Sequence, residues 1–334
     1  MTTVLLTAAT ALGAASTAST AAAVPTATPA AAATQDRPLP SVAEREALVR
    51  PATDRLVAQL RQSLTRADEG RRVSARHRPA VDRIRRNLWD GPGICASSGT
   101  TSRHGICTFG DVAGDRTVVA LGSSHMTMWM AGLTAAAERR GTRVVGLFKY
   151  GCTPYDLRST RDGTEWQACS DFREWAVDTI ARIAPDTVIV GSHSAFDVLG
   201  DDGSLLEGRA WTQEVTAGAA RLVSRVLPHT DDVVVLGDVT PRTRDPQRCL
   251  QRTKRSYRRC ESPEDPAHRA LVRATGDAVR AEGADFFDTN HLICVQGRCP
   301  VAAAGRYVYR DASHVSRVWS QRVGSLMATR VGVR

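Results

Sequence analysis

An α/β fold on an open parallel sheet, three layers thick and preceded by a helical extension, is what this sequence predicts. Three observations carry it. Short apolar runs alternate with segments of helical apolar spacing through the second two thirds of the chain, which is the pattern of a parallel sheet covered on both faces. The hydrophobic fraction of 42% over 334 residues is enough for a sizeable core. Polar side chains gather directly after the strand-like runs, where an open α/β sheet places its ligand crevice.

In chain order, residues 1–36 are mostly Ala and Thr with no Lys or Arg, and the first basic residue is Arg37. An apolar stretch from Val4 to Ala15, then Ala21, Ala22 and Ala23, reads as a signal-like segment with a linker behind it. The end of a membrane span, or an unsuited start codon, is the alternative; each places the rest of the chain outside the cytoplasm. Residues 37–94 read as a helical extension interrupted at Pro51 and near Gly70. From residue 95 to 334 runs the main domain. It opens on a Gly/Ser-rich loop, "GPGICASSGTTSRHGICTFGD". The strand-like runs "TVVALG", "TRVVGLFKY", "DTVIVGS", "DVVVLGD" and "ADFFDT" come next, separated by helices expected near 170–184, 212–227 and 266–282.

Eight cysteines fall into four neighbouring couples: Cys95 with Cys107, Cys152 with Cys169, Cys249 with Cys260, and Cys294 with Cys299. No C-x-x-C occurs, so local disulfides fit better than zinc, and oxidised thiols point to a secreted or extracytoplasmic protein. No metal and no cofactor are expected. The net charge of +9 raises the question of nucleic acid, but aromatic residues are 5% and no stacking motif or basic recognition helix is present. An anionic envelope is the better partner for that charge. The run from Arg242 to Cys260 reads as a solvated excursion limited by its cysteines, with a docking surface for an anionic glycan as the sharper alternative.

Chemistry enters at "GSSHMTMWMAGL". A serine at a strand-to-helix turn is by default a helix cap. What shifts the balance is "RDASH" near the C-terminus, where Asp311 and His314 stand in a D-x-x-H spacing. A carboxylate there can hold one imidazole nitrogen while the other faces a hydroxyl. Ser, Asp and His then appear in that chain order on a parallel sheet. His125 reads as a residue that packs or bonds near the turn, and His193 as structural. Trp129, Trp175 and Trp319 read as core or pocket wall.

These motifs resemble the SGNH hydrolases, and within them the SGNH domain associated with acyltransferase-3 proteins that O-acetylate bacterial surface glycans. The resemblance runs from about Cys95 to Met327 through "GSSHMTMWMAGL", "KYGCTPYDLR", "CSDFREWAVDTIARIAPDTVIV" and "LICVQGRCPVAAAGRYVYRDASHVS". It implies a flavodoxin-like SGNH hydrolase fold, with Ser124 as nucleophile, Asp311 as acid and His314 as base. It further implies an oxyanion hole from the backbone N–H of Ser124 and of Gly151. Two departures stand out. Ser123 occupies the family's Asp position, and "GSHSAF" replaces the loop that offers an Asn donor, leaving Ser192 or His193 as substitutes. The expected activity is transfer or hydrolysis of O-acyl, above all O-acetyl, groups of carbohydrate through an acyl-serine. The expected partners are a surface polysaccharide or peptidoglycan-type glycan and a membrane acyltransferase that supplies the acyl group. A catalytically silent glycan-binding module is the alternative.

Overall fold

The computed structural model describes residues 39–333 apart from Pro92, so the signal-like segment expected over 1–36 lies outside the described residues. From Leu39 on, the described residues form one compact unit. Its seven-stranded sheet contains β1 (Ala96–Ser97), β2 (Cys107–Gly110), β3 (Arg116–Gly122), β4 (Thr142–Lys149), β5 (Thr187–Gly191), β6 (Asp232–Gly237) and β7 (Asp285–Asp288). The order is β1-β4-β3-β5-β6-β7, all neighbours parallel, with β2 antiparallel along β4. The five strands read from the apolar runs are the parallel centre. The Gly/Ser-rich loop holds two short edge strands in addition, because Phe109 of β2 packs its ring 4.9 Å from that of Trp89 and draws the segment onto β4.

The helices are α1 (Val42–Asp68), α2 (Ser124–Glu138), α3 (Gln167–Ile183), α4 (Gly208–Val226), α5 (Pro246–Arg252), α6 (Tyr257–Cys260), α7 (Pro266–Ala281) and α8 (Arg317–Arg330). Alternation along the strands builds two cores. Val118 and Ala120 of β3 face a core with Trp129 of α2, Trp319 of α8 and Leu56 of α1. Val119 and Leu121 face the other, with Phe172 of α3, Leu222 of α4 and Val272 of α7. α2 and α8 cross at Gly132 and Gly324, where a Cβ on Gly132 would meet Ser320 O at 2.1 Å, so only glycine permits the approach.

The break expected at Pro51 does not occur. α1 runs through it, opened by a Ser41/Glu44 capping box. Proline leaves the carbonyl four residues back without its helical donor. That residue, Ala47, is exposed, so water can take the place of the missing bond. Tertiary contacts supply the rest. Arg45 of α1 pairs with Asp232 at 2.6 Å and with Asp285 at 3.5 Å. The two carboxylates begin β6 and β7, so the extension is clamped to the sheet.

All eight cysteines are joined, as Cys95–Cys107, Cys152–Cys169, Cys249–Cys260 and Cys294–Cys299. Cys249–Cys260 is part of a third, smaller core with Val73, Ile84, Leu250, Tyr257 and Tyr307, whereas Cys294–Cys299 joins the core that holds Trp129 and Trp319. Among the described residues no helix is long and apolar enough to cross a membrane.

Candidate active site

The sheet order reverses direction between β3 and β5, and the crevice at such a switch point is where open α/β sheets bind ligands. Gly122 ends β3 beside Gly191 of β5, with φ +156°; a Cβ there would sit 1.9 Å from Gly191 O. The Ser123 N–H donates to that same carbonyl at 3.2 Å, and the chain turns into α2.

The two serines of the turn divide its roles. Ser123 is the fully buried N-cap of α2, its hydroxyl accepting the His125 N–H at 3.2 Å. Ser124 is the first helical residue, and its Oγ lies 2.9 Å from His314 Nε2. Behind the imidazole, His314 Nδ1 is 3.0 Å from each Asp311 oxygen. Asp311 Oδ1 also accepts the N–H of Ser313 at 2.9 Å and of His314 at 2.8 Å, so the D-x-x-H spacing folds into a carboxylate-centred turn. This network assigns the Nδ1–H tautomer and leaves Nε2 as the acceptor for the serine proton. The turn is fixed from outside by Arg242 N–H to Ala312 O at 2.7 Å and Tyr309 O–H to Thr240 O at 3.0 Å.

Electrostatics suit a base. Burial would push the Asp311 carboxyl up, but the bond to and charge of His314, with the Arg310 guanidinium 2.9 Å away, hold it well below the usual carboxylate range. Burial pushes the His314 imidazole below its ordinary 6.5, against the pull of Asp311 and with help from His125. His314 is therefore neutral, and able to accept a proton, at neutral pH.

The cleft beside Ser124 encloses about 550 Å³, and its walls include His125, His193, Trp211, His268 and His314. His193 is driven down to about 4 by burial, then by His125, so it is a neutral imidazole. Its Nδ1 is buried with no partner among the described residues, which costs less as a bare acceptor than as an N–H and leaves the proton on Nε2. Ser192 is not a wall of this cleft; its hydroxyl lies 2.9 Å from both Thr153 Oγ1 and His193 O. Gly151 sits in the turn after β4 at φ +75°, next to the Cys152–Cys169 bridge. Lys149 is buried, its Nζ donating to Gly99 O and Thr101 O, and burial brings it down to about 8. That lysine secures the edge loop.

The sequence places Asp238 at the crevice rim, directly after a strand, but gives it no role, and it does not single out His268. Asp238 receives His125 Nδ1 at 2.5 Å and both the N–H and hydroxyl of Ser194, while its carbonyl lies 3.0 Å from His268 Nε2. Its place after "VVVLG" was visible, but nothing in the sequence paired it with His125. His268 gave no signal at all. Trp129 and Trp319 are core, whereas the tryptophan that lines the cleft is Trp211. Among the described residues no group of three or more His, Cys, Asp or Glu is arranged to hold a metal ion.

Comparison with known proteins bears on the same region. The model of the family described as "SGNH domain (fused to AT3 domains)" matches residues 94–329. The periplasmic domain of a lipopolysaccharide acetyltransferase from Salmonella ser. Paratyphi A is similar in structure, with a TM-score of 0.53 and 13% identity, over 75% of this chain and 92% of that one. An acetylxylan esterase from Geobacillus stearothermophilus aligns with a TM-score of 0.40 and 14% identity, over 66% of this chain and 96% of that one. No curated protein matches in sequence.

Proposed function

Because the chain belongs to the family of SGNH domains of the kind fused to acyltransferase-3 domains, we propose that it is an extracytoplasmic serine enzyme that moves O-acetyl groups on surface carbohydrate. The observation that carries this is the 2.9 Å approach of Ser124 Oγ to His314 Nε2 with Asp311 behind it. Ser124 Oγ attacks the acyl carbonyl as Nε2 takes its proton. The tetrahedral intermediate collapses, the leaving alcohol receives that proton, and an acyl-serine remains. An acceptor hydroxyl then gives its proton to His314 Nε2 and attacks the acyl carbon; as the second tetrahedral intermediate collapses, the Ser124 Oγ–acyl bond breaks and Oγ takes that proton back. Water as acceptor gives an esterase, and a sugar hydroxyl a transferase.

Two donors support the oxyanion. The His125 N–H is held by Ser123 Oγ, and those of Met126 and Thr127 by Ser123 O, while the Ser124 N–H has no acceptor among the described residues. It stands at the positive end of α2. The neutral His193 is the second, in the loop where related enzymes carry Asn, and Gly151 is a further backbone candidate. The four disulfides and the periplasmic origin of the Salmonella domain support a location outside the cytoplasm. A membrane acyltransferase is the proposed acyl supplier, as the fusion recorded in the family description implies.

The test is acetyl release from p-nitrophenyl acetate, with and without oligosaccharide acceptors, alongside labelling by a fluorophosphonate. Labelled Ser124 and an acetylated sugar product mark a transferase; labelled Ser124 and free acetate mark an esterase. A folded chain that binds sugar, does not label and does not turn over is the silent binding module instead.

A further inference from the structure

Two arginine-rich runs far apart in sequence meet in the fold. Residues 71–86 and 244–259 each carry seven Arg or Lys and one Asp, so their joint excess of twelve charges exceeds the +9 of the whole chain. The remainder of the protein is thus net acidic. Val73 N–H donates to Arg255 O at 2.7 Å, Tyr257 N–H to Arg71 O at 3.2 Å, and Arg85 N–H to Gln247 Oε1 at 3.1 Å. The small core of Val73, Ile84, Leu250 and Tyr257 lies between the runs, closed by Cys249–Cys260. Arg72, Arg76, Arg83, Arg252, Lys254 and Arg258 are left exposed on one lobe. Such concentration is self-repelling, and a bound polyanion offsets it.

A groove of about 550 Å³ at the edge of this lobe is lined by Arg78, Arg306 and Arg322. Arg78 donates only to the carbonyls of Ala75, Arg76 and His77, Arg306 to Ala304 O, and Arg322 to Gln59 Oε1; among the described residues none of the three pairs with a carboxylate. A guanidinium has five N–H groups in a planar fork, so donors remain for phosphate or carboxylate oxygens. The lobe also reaches the candidate active site. Asn87 accepts the Arg317 N–H at 2.9 Å and the Val318 N–H at 3.0 Å, and Arg317 follows His314 by three residues, about 10 Å of chain at most.

The geometry points to a polyanion-binding face that captures the acceptor, a glycan polymer bearing phosphodiester or carboxylate groups along its length. Nucleic acid fits less well, since Tyr257 and Tyr307 of the lobe are buried and offer no stacking platform. A membrane fits less well because neither run exposes a large apolar side chain for insertion. That the captured polymer is the acceptor rests on the proposed enzymatic function; the face itself rests on charge and groove.

Full-length chain is titrated with poly(glycerol phosphate) and with polygalacturonate at low and high salt. The groove variant Arg78→Gln/Arg306→Gln/Arg322→Gln and the face variant Arg252→Gln/Lys254→Gln/Arg258→Gln are compared with wild type. At least one polymer is expected to bind, more weakly at high salt, and each triple variant to lose about tenfold or more in affinity. Hydrolysis of p-nitrophenyl acetate should stay at the wild-type rate. Failure of both polymers to bind, or wild-type affinity in both folded variants, overturns the proposal. Tighter binding to duplex DNA or to anionic phospholipid vesicles than to either polymer overturns it too. Ser124→Ala should bind polymer normally, so a chain that binds without turnover counts against the enzymatic reading and not against this face.

Discussion

His125 Nδ1 lies 2.5 Å from Asp238 Oδ1, so the residue after the proposed nucleophile is held from the end of a strand two places away in the sheet. The pair ties the start of α2 to the loop after β6, and Ser194 joins it from the loop after β5. Three loops at one rim are thereby fixed to each other around Ser124.

That fixing has a pH signature. Burial would raise the Asp238 carboxyl, but the pull and hydrogen bond of His125, with His268 and Ser194, bring it from 3.8 down to about 2. A depressed carboxylate contributes stability that is present above its ordinary value and lost as pH falls through the lowered one. Wild type is expected to lose about 2 kcal/mol from this group between pH 4 and 2. Asp238→Asn should already lack that contribution at pH 7 and show a flatter dependence. Urea denaturation of both proteins across this range is the measurement; parallel curves would show that the carboxylate does not carry the effect.

The neighbouring serines should separate cleanly. Ser124→Ala is expected to abolish acetyl release and leave the melting temperature close to wild type. Ser123→Ala removes the α2 cap and should cost about 1 kcal/mol while keeping much of the activity. Ser123→Asp restores a capping carboxylate and should remain active. Activity in Ser124→Ala with none in Ser123→Ala would place the nucleophile one residue earlier.

Local chemistry made much of this legible. Short, Val-rich runs closed by glycine, such as "VVALG" and "VVVLG", fit strands buried on both faces, and the polar residues after them marked the crevice. The D-x-x-H turn was legible for a similar reason, since its bonds join residues three apart. Pro51 misled because its local rule was overridden by Arg45, whose partner Asp232 is 187 residues away. The pairing of Asp238 with His125, and any role for His268, stayed hidden because each meets its partners only after β3, β5 and β6 align. The union of the two arginine runs was invisible for the same cause.

His193 offers a test of the oxyanion donor. A neutral imidazole with its proton on Nε2 can do what an amide does, so His193→Ala should lower turnover by about 10²-fold. His193→Asn, which places the amide of related enzymes in this loop, should recover part of that loss. Loss of binding with unchanged turnover in His193→Ala would make the residue a wall of the cleft and nothing more.

The Cys152–Cys169 bridge closes a loop of 17 residues next to Gly151. Cys152→Ala/Cys169→Ala should cost about 3 kcal/mol by releasing the unfolded chain. If the Gly151 N–H also meets the oxyanion, turnover at a temperature well below melting should fall as well. A destabilised double variant with wild-type turnover would show that Gly151 is not an oxyanion donor.

His314 and Asp311 should differ in kind. His314 carries the proton, so His314→Ala should remove nearly all turnover at neutral pH. Its imidazole is held below 6.5, so the wild-type rate should rise with pH along an acid limb centred below that value. Asp311→Asn removes the partner that pulls the imidazole upward, and the limb should move further toward acid. The same change lets the imidazole adopt the wrong tautomer, so the plateau should drop by about 10⁴-fold. Residual activity should grow at alkaline pH, where serine needs less help to ionise. The measurement is a pH–rate profile on a small acetyl ester for all three proteins, with circular dichroism to confirm folding. A folded His314→Ala at wild-type rate would end the serine mechanism. An Asp311→Asn limb shifted toward alkali would show that the carboxylate does not govern the base.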